Sequence, residues 1–425
     1  MSTPQPSYYW AALPEPPRRS SLRGHAQCDV GVVGGGIAGV SAALHLAQRG
    51  YQVTLLEGDR IGWGASGRSG AQAIFGVAAG QDRLARLIGA ADARRVWDMS
   101  VEALTLQRDL IAAHHIDCDY VQGQMHVAIK PRQLDELRHW HDELHEVYGY
   151  HSVSLLDAAA TRKLVDSPRY IGGLLDSNSA HLQPLKYLRG LAAAAEGAGA
   201  RLHEHSRVLR HERRDGQLRL VTAQGELACR RIVYAGNASL GSTVPSLARR
   251  IMPVGTYIVA TEPLGEAAAR SLLPANTAVT DINWVLDYFR RSADHRLLFG
   301  GRVSYSGLDP FDTAKATRQR MLRVFPQLKD AAIEYAWGGY VDITMNRAPD
   351  FGRLESDVYY LQGFSGHGIA LTGLAGKLVA EAIAGDAERF DVFARIPHRD
   401  FPGGAVLRRP ALVLAMLYYR LRDLL

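Results

Sequence analysis

The sequence predicts an α/β fold: a Rossmann-like dinucleotide-binding domain interleaved with an α+β domain built on a mostly antiparallel sheet. Three observations predict it. Residues 30–57 hold an apolar strand, a turn with Gly34, Gly36 and Gly39, a helix rich in Ala and Leu, and a second strand ending on Glu57. Near the other end, an apolar strand at 358–362 meets Gly363-Phe364-Ser365-Gly366-His367-Gly368 and a helix from about residue 371 to 383. Between them strand-rich and helical stretches alternate, so the chain crosses between two domains several times.

Each glycine of the first turn has a physical task. Gly34 permits the tight turn, Gly36 lets the backbone approach a pyrophosphate, and Gly39 lets helix and strand pack closely. Ile37 and Ala38 open a helix whose free N–H groups and positive dipole end suit phosphates. Glu57, eighteen residues after Gly39, is placed to accept hydrogen bonds from a ribose diol. A plain Gly-rich βα turn is the alternative; the flanking strands, the helix and the closing acid argue against it. In the second loop Gly366 and Gly368 carry no side chains, and the helix behind them can stabilise an anionic carbonyl. An ordinary βα turn explains that segment, taken alone, equally well.

The remaining elements follow in order. Residues 1–27 read as a surface tail pinned by Tyr8-Tyr9-Trp10. Residues 61–80 form a Gly/Ala/Ser-rich loop, and 81–148 are helical around a strand at 124–129. Strand-like pieces surround 171–175, a helix covers 185–196, and 207–235 is a three-stranded meander running into Gly236-Asn237-Ala238. Residues 252–301 are strand-rich with a loop or turn at 290–294, 314–325 are helical, and 337–352 are rich in Gly, Pro and Asn. The nucleotide-binding domain is therefore discontinuous (28–80, 150–245 and 345–395). The substrate domain takes 81–149 and 246–344, and 396–425 is a C-terminal extension with an apolar helix.

Composition narrows the function classes. At 425 residues, 47% hydrophobic and 22% charged, the chain can form two or three domains with their own cores. The net charge of +6 is spread out, with no basic block interleaved with aromatics, which argues against nucleic acid. Cys28, Cys118 and Cys229 form neither a disulfide framework nor a zinc spacing and suit a reducing cytoplasm. The first 26 residues lack the apolar segment of a secretory signal, and no apolar run nears the roughly 20 residues that span a bilayer. His141 and His145 sit on a charged stretch with the acid misplaced for a zinc helix, so no metal is expected.

With these residues in view, the chain resembles the D-amino-acid-oxidase-like family of FAD-dependent oxidoreductases, the group of glycine oxidase and monomeric sarcosine oxidase. The likeness runs nearly end to end. It rests on Cys28-Asp29-Val30, the stretch Arg60-Ile61-Gly62-Trp63-Gly64-Ala65-Ser66-Gly67-Arg68-Ser69-Gly70, and Ile116-Asp117-Cys118-Asp119-Tyr120. It continues in Ala235-Gly236-Asn237-Ala238, Phe364-Ser365-Gly366-His367-Gly368 and Gly385-Asp386-Ala387-Glu388-Arg389-Phe390-Asp391. The resemblance implies a glutathione-reductase-type domain holding FAD rather than NAD at Gly34–Gly39, with Glu57 on the adenosine ribose. It adds Gly58, Arg60, Ala235, Gly236 and Asn237 to the cofactor set. It also implies Gly64, Ala65, Ser66, Gly67, Arg68, Ser69, Gly70, Ala71 and Gln72 along the pyrophosphate and flavin. Val208 would hold the adenine side through its backbone, and Gly366, His367, Gly368 and Ile369 would lie against the isoalloxazine.

Departures from the relatives carry information too. No cysteine stands near 337–340, where covalent members tether the flavin, so FAD is expected to be non-covalent. No lysine stands in Arg296-Leu297-Leu298-Phe299-Gly300-Gly301 or at Ile369-Ala370, and no arginine near Val341, where glycine oxidase binds a carboxylate. Oxygen as acceptor and an α-carboxylate clamp therefore lack support.

The resemblance implies oxidation of a C–N bond, with hydride passing to flavin N5 and the imine hydrolysing to a carbonyl. A γ-glutamylated polyamine or related primary amine is the first substrate expectation. A cyclic secondary amino acid of the pipecolate or proline type, with electrons passed to a membrane quinone, is the second. A flavin-binding subunit of an electron-transfer complex is the third. Candidate catalytic side chains are His367, Tyr257, Tyr288, Arg302, Trp337 and Tyr340, with Trp284, Arg290 and Asp342 beside them. Aromatics over a flavin can cage an amine, and Arg302 or Arg290 can hold a carboxylate; core packing and surface ion pairs are the alternatives. Ala411 to Tyr419 is apolar between Arg408, Arg409, Arg420 and Arg422, which suits the interface of a membrane. Docking of 408–425 on the body or in a homo-oligomer is the alternative. The expected place is the cytoplasm, with peripheral contact on the inner face of its membrane if the interface reading holds.

Overall fold

The computed structural model describes residues 7–304 and 313–402. Val30–Val33 is buried at all its positions and pairs in parallel with Val53–Leu56 on one side and Arg231–Tyr234 on the other. A continuous apolar run is what a parallel strand covered on both faces requires. The six-stranded sheet runs Asp350–Glu355, Val358–Gln362, Arg231–Tyr234, Val30–Val33, Val53–Leu56, Arg201–His203. Its outer Asp350–Glu355 strand is antiparallel; the other pairings are parallel. Helices Ile37–Gln48 and Gly368–Ile383, almost wholly buried, pack on each other over this sheet.

The second large sheet has nine strands. Across it run Ile333–Thr344, Ile251–Thr261, Leu297–Ser304, Tyr288–Arg291, Ala278–Asp281, Val121–Ala128, Gly172–His181 and Gln72–Ala73, with Val153–Asp157 also paired to Gly172–His181. Its one parallel pairing joins Ala278–Asp281 to Val121–Ala128. The strands at 153–157 and 172–181 thus extend this sheet, although the sequence reading assigns 150–245 to the nucleotide-binding part.

Two stretches gain detail. Residues 337–344, rich in Gly, complete the long Ile333–Thr344 strand despite Gly338 and Gly339. The missing side chain has a reason, since a Cβ on Gly338 would stand 2.8 Å from the Tyr257 ring. Arg290 lies in a strand, Tyr288–Arg291, and the turn starts at Ser292, whose N–H donates to Arg296 O.

Residues 11–27 lie mostly on the surface, and the segment is pinned at its start. Ser7 caps a helix, Tyr8–Ala11, on which Tyr8 and Tyr9 are buried. Large rings with satisfied hydroxyls are held well in such sites. Gly24–Gln27 then adds a parallel strand to the meander formed by Arg210–Arg214, Gln217–Val221 and Gly225–Cys229. The apolar segment at 411–419, with 408–425 as a whole, lies outside the described residues. Among the described residues no single helix is long and apolar enough to cross a membrane.

Candidate cofactor and substrate site

Gly34, Glu57, Ala235 and Gly363 each follow the carboxyl end of a parallel strand. Open α/β sheets bind ligands at these ends. Gly34 has φ +116° and presses on the Ala235 backbone, while a Cβ on Gly39 would overlap the Gly34 carbonyl oxygen. Gly36 starts the Ile37–Gln48 helix with no side-chain cap, and Ser66 Oγ accepts from the Ile37 N–H at 3.1 Å. The Glu57 carboxylate accepts from the N–H groups of Gly35 (2.6 Å) and Asp59 (2.8 Å). Burial pushes its pKa up against the pull of those two donors. Val208 is buried, and its carbonyl accepts from Thr243 Oγ1 at 3.0 Å. The residues fit a dinucleotide. The helix start has no cap from its own N-cap residue, and only small or short side chains (Ser66, Glu57) reach the turn. The acid is fixed at the strand end, and the buried Ser69 Oγ and His367 Nδ1 have no hydrogen-bond partner among the described residues.

The segment that follows is held from outside. Three successive carbonyls each accept from a distant side chain. Trp337 Nε1 donates to Arg68 O (3.0 Å), the Tyr9 hydroxyl to Ser69 O (2.9 Å) and Arg290 Nε to Gly70 O (3.1 Å). Arg290 Nη2 also donates to the Tyr9 hydroxyl at 3.0 Å, and Arg68 Nε donates to Gly338 O at 2.6 Å. The Tyr288 ring fills the space beside Gly70 and Gly300 that a Cβ would need. Gln72 Oε1 accepts from Thr280 Oγ1 at 2.7 Å, and Ala71 O accepts from the Leu182 N–H. Trp337, Tyr288 and Arg290 therefore brace the loop; Arg290, only 3% exposed, is no open carboxylate clamp.

The second loop turns through left-handed positions at Gly363, Ser365 and Gly366 and places His367 at the start of Gly368–Ile383. Burial, helped by the charge of Arg347, holds the His367 imidazole down at about 4. His126, on Val121–Ala128, is pushed down to about 3 by burial and then by His367, and its ring lies 4.9 Å from Trp140. Two neutral imidazoles thus stand near each other. A lone histidine in a strand gives no sequence signal, and His126 was missed. Asp342 is 2% exposed, with the Ala238 N–H as its nearest polar support. Burial pushes it up to about 8, the Ala238 N–H offsetting part of the rise.

Other expected residues stand apart. Arg60 turns outward to Glu15 (3.1 Å) and the Trp10 ring. Gly58 lies instead beside the Arg207 guanidinium, a neighbour the sequence reading missed. Tyr257 is buried against Gly338, whereas Tyr340 and Trp284 are 58% and 41% exposed. Arg302 sits opposite Tyr257 in the sheet register, and its side chain lies outside the described residues.

Known proteins resemble this chain in sequence and in fold. A family profile described as DAO, FAD dependent oxidoreductase, matches residues 29–382. Gamma-glutamylputrescine oxidoreductase of Escherichia coli is 44% identical over 418 residues, 98% of each chain. A probable oxidoreductase, OrdL, of Haemophilus influenzae is 39% identical over 98% of this chain and 97% of its own. Among solved structures, glycine oxidase from Bacillus cereus superposes with a TM-score of 0.70 at 22% identity, covering 88% of this chain and 99% of that one. L-proline dehydrogenase from P. horikoshii gives 0.70 and 22%, over 88% and 98%. The two structures share the fold.

Proposed function

Since the chain belongs to the DAO family of FAD-dependent oxidoreductases, we propose that it oxidises the C–N bond of a γ-glutamylputrescine-like primary amine. The observation that carries this substrate is the 44% identity to the Escherichia coli enzyme over nearly all of both chains. Bound FAD supplies the two-electron chemistry; the protein supplies position, dryness and electrostatics. Gly34 to Gly39 and the helix start take the diphosphate, and Glu57 the ribose. Trp337, Tyr9 and Arg290 fix the loop that borders the ring. His126 and His367, both neutral, add no positive charge that would repel the substrate, and burial favours an uncharged amine. An uncharged amine needs no strong base. Water then hydrolyses the released imine.

Three finer points belong to this reading. FAD is held without a covalent bond, because the 337–340 stretch is Trp-Gly-Gly-Tyr with no cysteine. The absence of lysine at 296–301 and at 369–370 favours a quinone over oxygen as acceptor. A cytoplasmic enzyme touching the membrane surface through 408–425 would meet such an acceptor. The test is anaerobic mixing of the yellow protein with γ-glutamylputrescine, putrescine, pipecolate and proline. Rapid bleaching by γ-glutamylputrescine is expected. Bleaching by the cyclic imino acids alone, or by none of the four, overturns the proposal. Re-oxidation of the bleached protein by air or by a quinone identifies the acceptor.

A further inference from the structure

Residues 7–22 form an arm: the Tyr8–Ala11 helix, then a stretch without regular structure that reaches the strand Gly24–Gln27. Pro14, Pro16 and Pro17 have no N–H and a fixed φ, so this stretch is stiff and builds no backbone ladder. Side chains tie it down instead. At one end the Tyr9 hydroxyl donates to Ser69 O (2.9 Å), and the Trp10 ring meets Trp63 edge-on at 6.1 Å. Next, Arg189 lies over the Trp10 ring and donates to Pro14 O (2.8 Å). At the other end Arg19 gives two N–H groups to Glu196 (2.7 and 2.9 Å). It also lies 3.5 Å from Glu204, whose Oε1 accepts from the Ile61 N–H (2.8 Å). The Leu22 N–H donates to Ser206 Oγ (2.9 Å), and the Ser206 N–H to Glu57 O (2.7 Å). A cavity of about 530 Å³ lies between Glu15 to Arg19 of the arm and Arg60, Glu204 and His205. The arm is thus held at points and not packed along its length.

We propose that this arm is a strap on the cofactor: it ties the wall at 57–70 at both ends, and FAD leaves only when the ties through Arg19 and Leu22 open. This rests on the reading above, in which that wall runs from the ribose at Glu57 to the ring at 68–70. Each tie lands on the wall or on a neighbour that holds it. Tyr9 takes Ser69 O and Trp10 takes Trp63, while Glu204 and Ser206 link Arg19 and Leu22 to Ile61 and Glu57. A closed arm therefore keeps the wall from swinging out. Water can replace the polar ties at Arg19 and Leu22 one by one. Tyr8 and Tyr9 would have to leave a core that includes Leu185 and Trp337, so the strap opens from the Arg19 end.

The test reads cofactor release, followed as the recovery of FAD fluorescence when the holoprotein is diluted. Arg19→Ala removes a paired charged hydrogen bond from the closed strap, so FAD should leave about 10-fold faster. Arg19→Lys keeps the charge without the two-pronged grip and should fall between. The limiting rate of flavin reduction by γ-glutamylputrescine should stay within about 2-fold, because the reacting end is untouched. Arg213→Ala strips the ion pairs to Glu355 and Asp357 from the edge of the meander and controls for general loosening. Its release rate should stay within about 2-fold of wild type, as exposed pairs are worth little. A second readout needs no substitution. If the closed strap strengthens FAD binding, bound FAD must favour the closed strap. Amide exchange at Leu22 should therefore be about 10-fold slower with FAD than in the apoprotein. Wild-type release from Arg19→Ala, equal speeding in Arg213→Ala, or Leu22 exchange indifferent to FAD overturns the strap and leaves the cradle standing. Wild type that takes up no FAD removes the cradle and the strap together. Failure of γ-glutamylputrescine to reduce the flavin sinks the assigned reaction alone, since release and exchange need no substrate.

Discussion

The nucleotide cradle and the loop at 68–70 are adjacent in space but built in opposite ways. The cradle is local: Gly34, Gly39 and Glu57 lie within one strand-helix-strand unit, and Glu57 closes back on the Gly35 N–H. The loop is borrowed. Its carbonyls are held by side chains 60, 220 and 269 residues away in the chain. A local device can be read from spacing. A borrowed one becomes visible only when the nine-stranded sheet brings its donors together. On the proposed function the difference would also divide labour: the cradle would take a diphosphate, and the borrowed contacts would tie ring placement to the nine-stranded sheet.

Substitutions can break each side of that contrast. Gly39→Val should have the largest effect, because its side chain would strike the Gly34 carbonyl. Purified protein should be colourless, with FAD per chain near zero by absorbance. Arg290→Met should come next. It strips donors from Gly70 O and the Tyr9 hydroxyl together, and each buried group left unpaired costs about 1–3 kcal/mol in urea unfolding. FAD affinity should fall with it, although Arg290 is distant in sequence from the cradle.

Asp342→Asn acts through pH. The Asp342 carboxyl titrates at about 8 when folded and near 4 when unfolded. The native state therefore binds the extra proton between these values. Its contribution to stability is complete below about 4 and is lost as pH rises through about 8. Urea unfolding between pH 5 and 8 should show a downward slope for wild type that Asp342→Asn flattens, by at most about 1.4 kcal/mol per pH unit. Tyr9→Phe should be mildest, about 1 kcal/mol, since the ring stays packed on Trp337 and only the hydroxyl is lost. A larger loss of FAD affinity in Tyr9→Phe than in a mutant of equal stability elsewhere would sharpen the case for loop placement. Equal losses would break it.

How much could be read in advance follows the same line. The βαβ unit, both Gly-rich turns and the first two strands of the meander were legible because their signals fit within about thirty residues, whereas Arg231–Tyr234, read as the meander's last strand, pairs into the six-stranded sheet. The strand at 337–344 was not legible because Gly338 interrupts the strand pattern for a reason across the sheet, the Tyr257 ring. Tyr9 read as a surface anchor because nothing near it in sequence names Ser69 or Arg290 as its partners. His126 carries no motif, and only folding places it beside His367.

The account depends most on the claim that this cradle holds FAD. Stripping the cofactor and titrating the apoprotein with FAD, followed by quenching of FAD fluorescence, tests it directly. One FAD per chain, bound tightly and released intact by acid, is the predicted result. Apoprotein that stays folded yet leaves FAD fluorescence unquenched would contradict it.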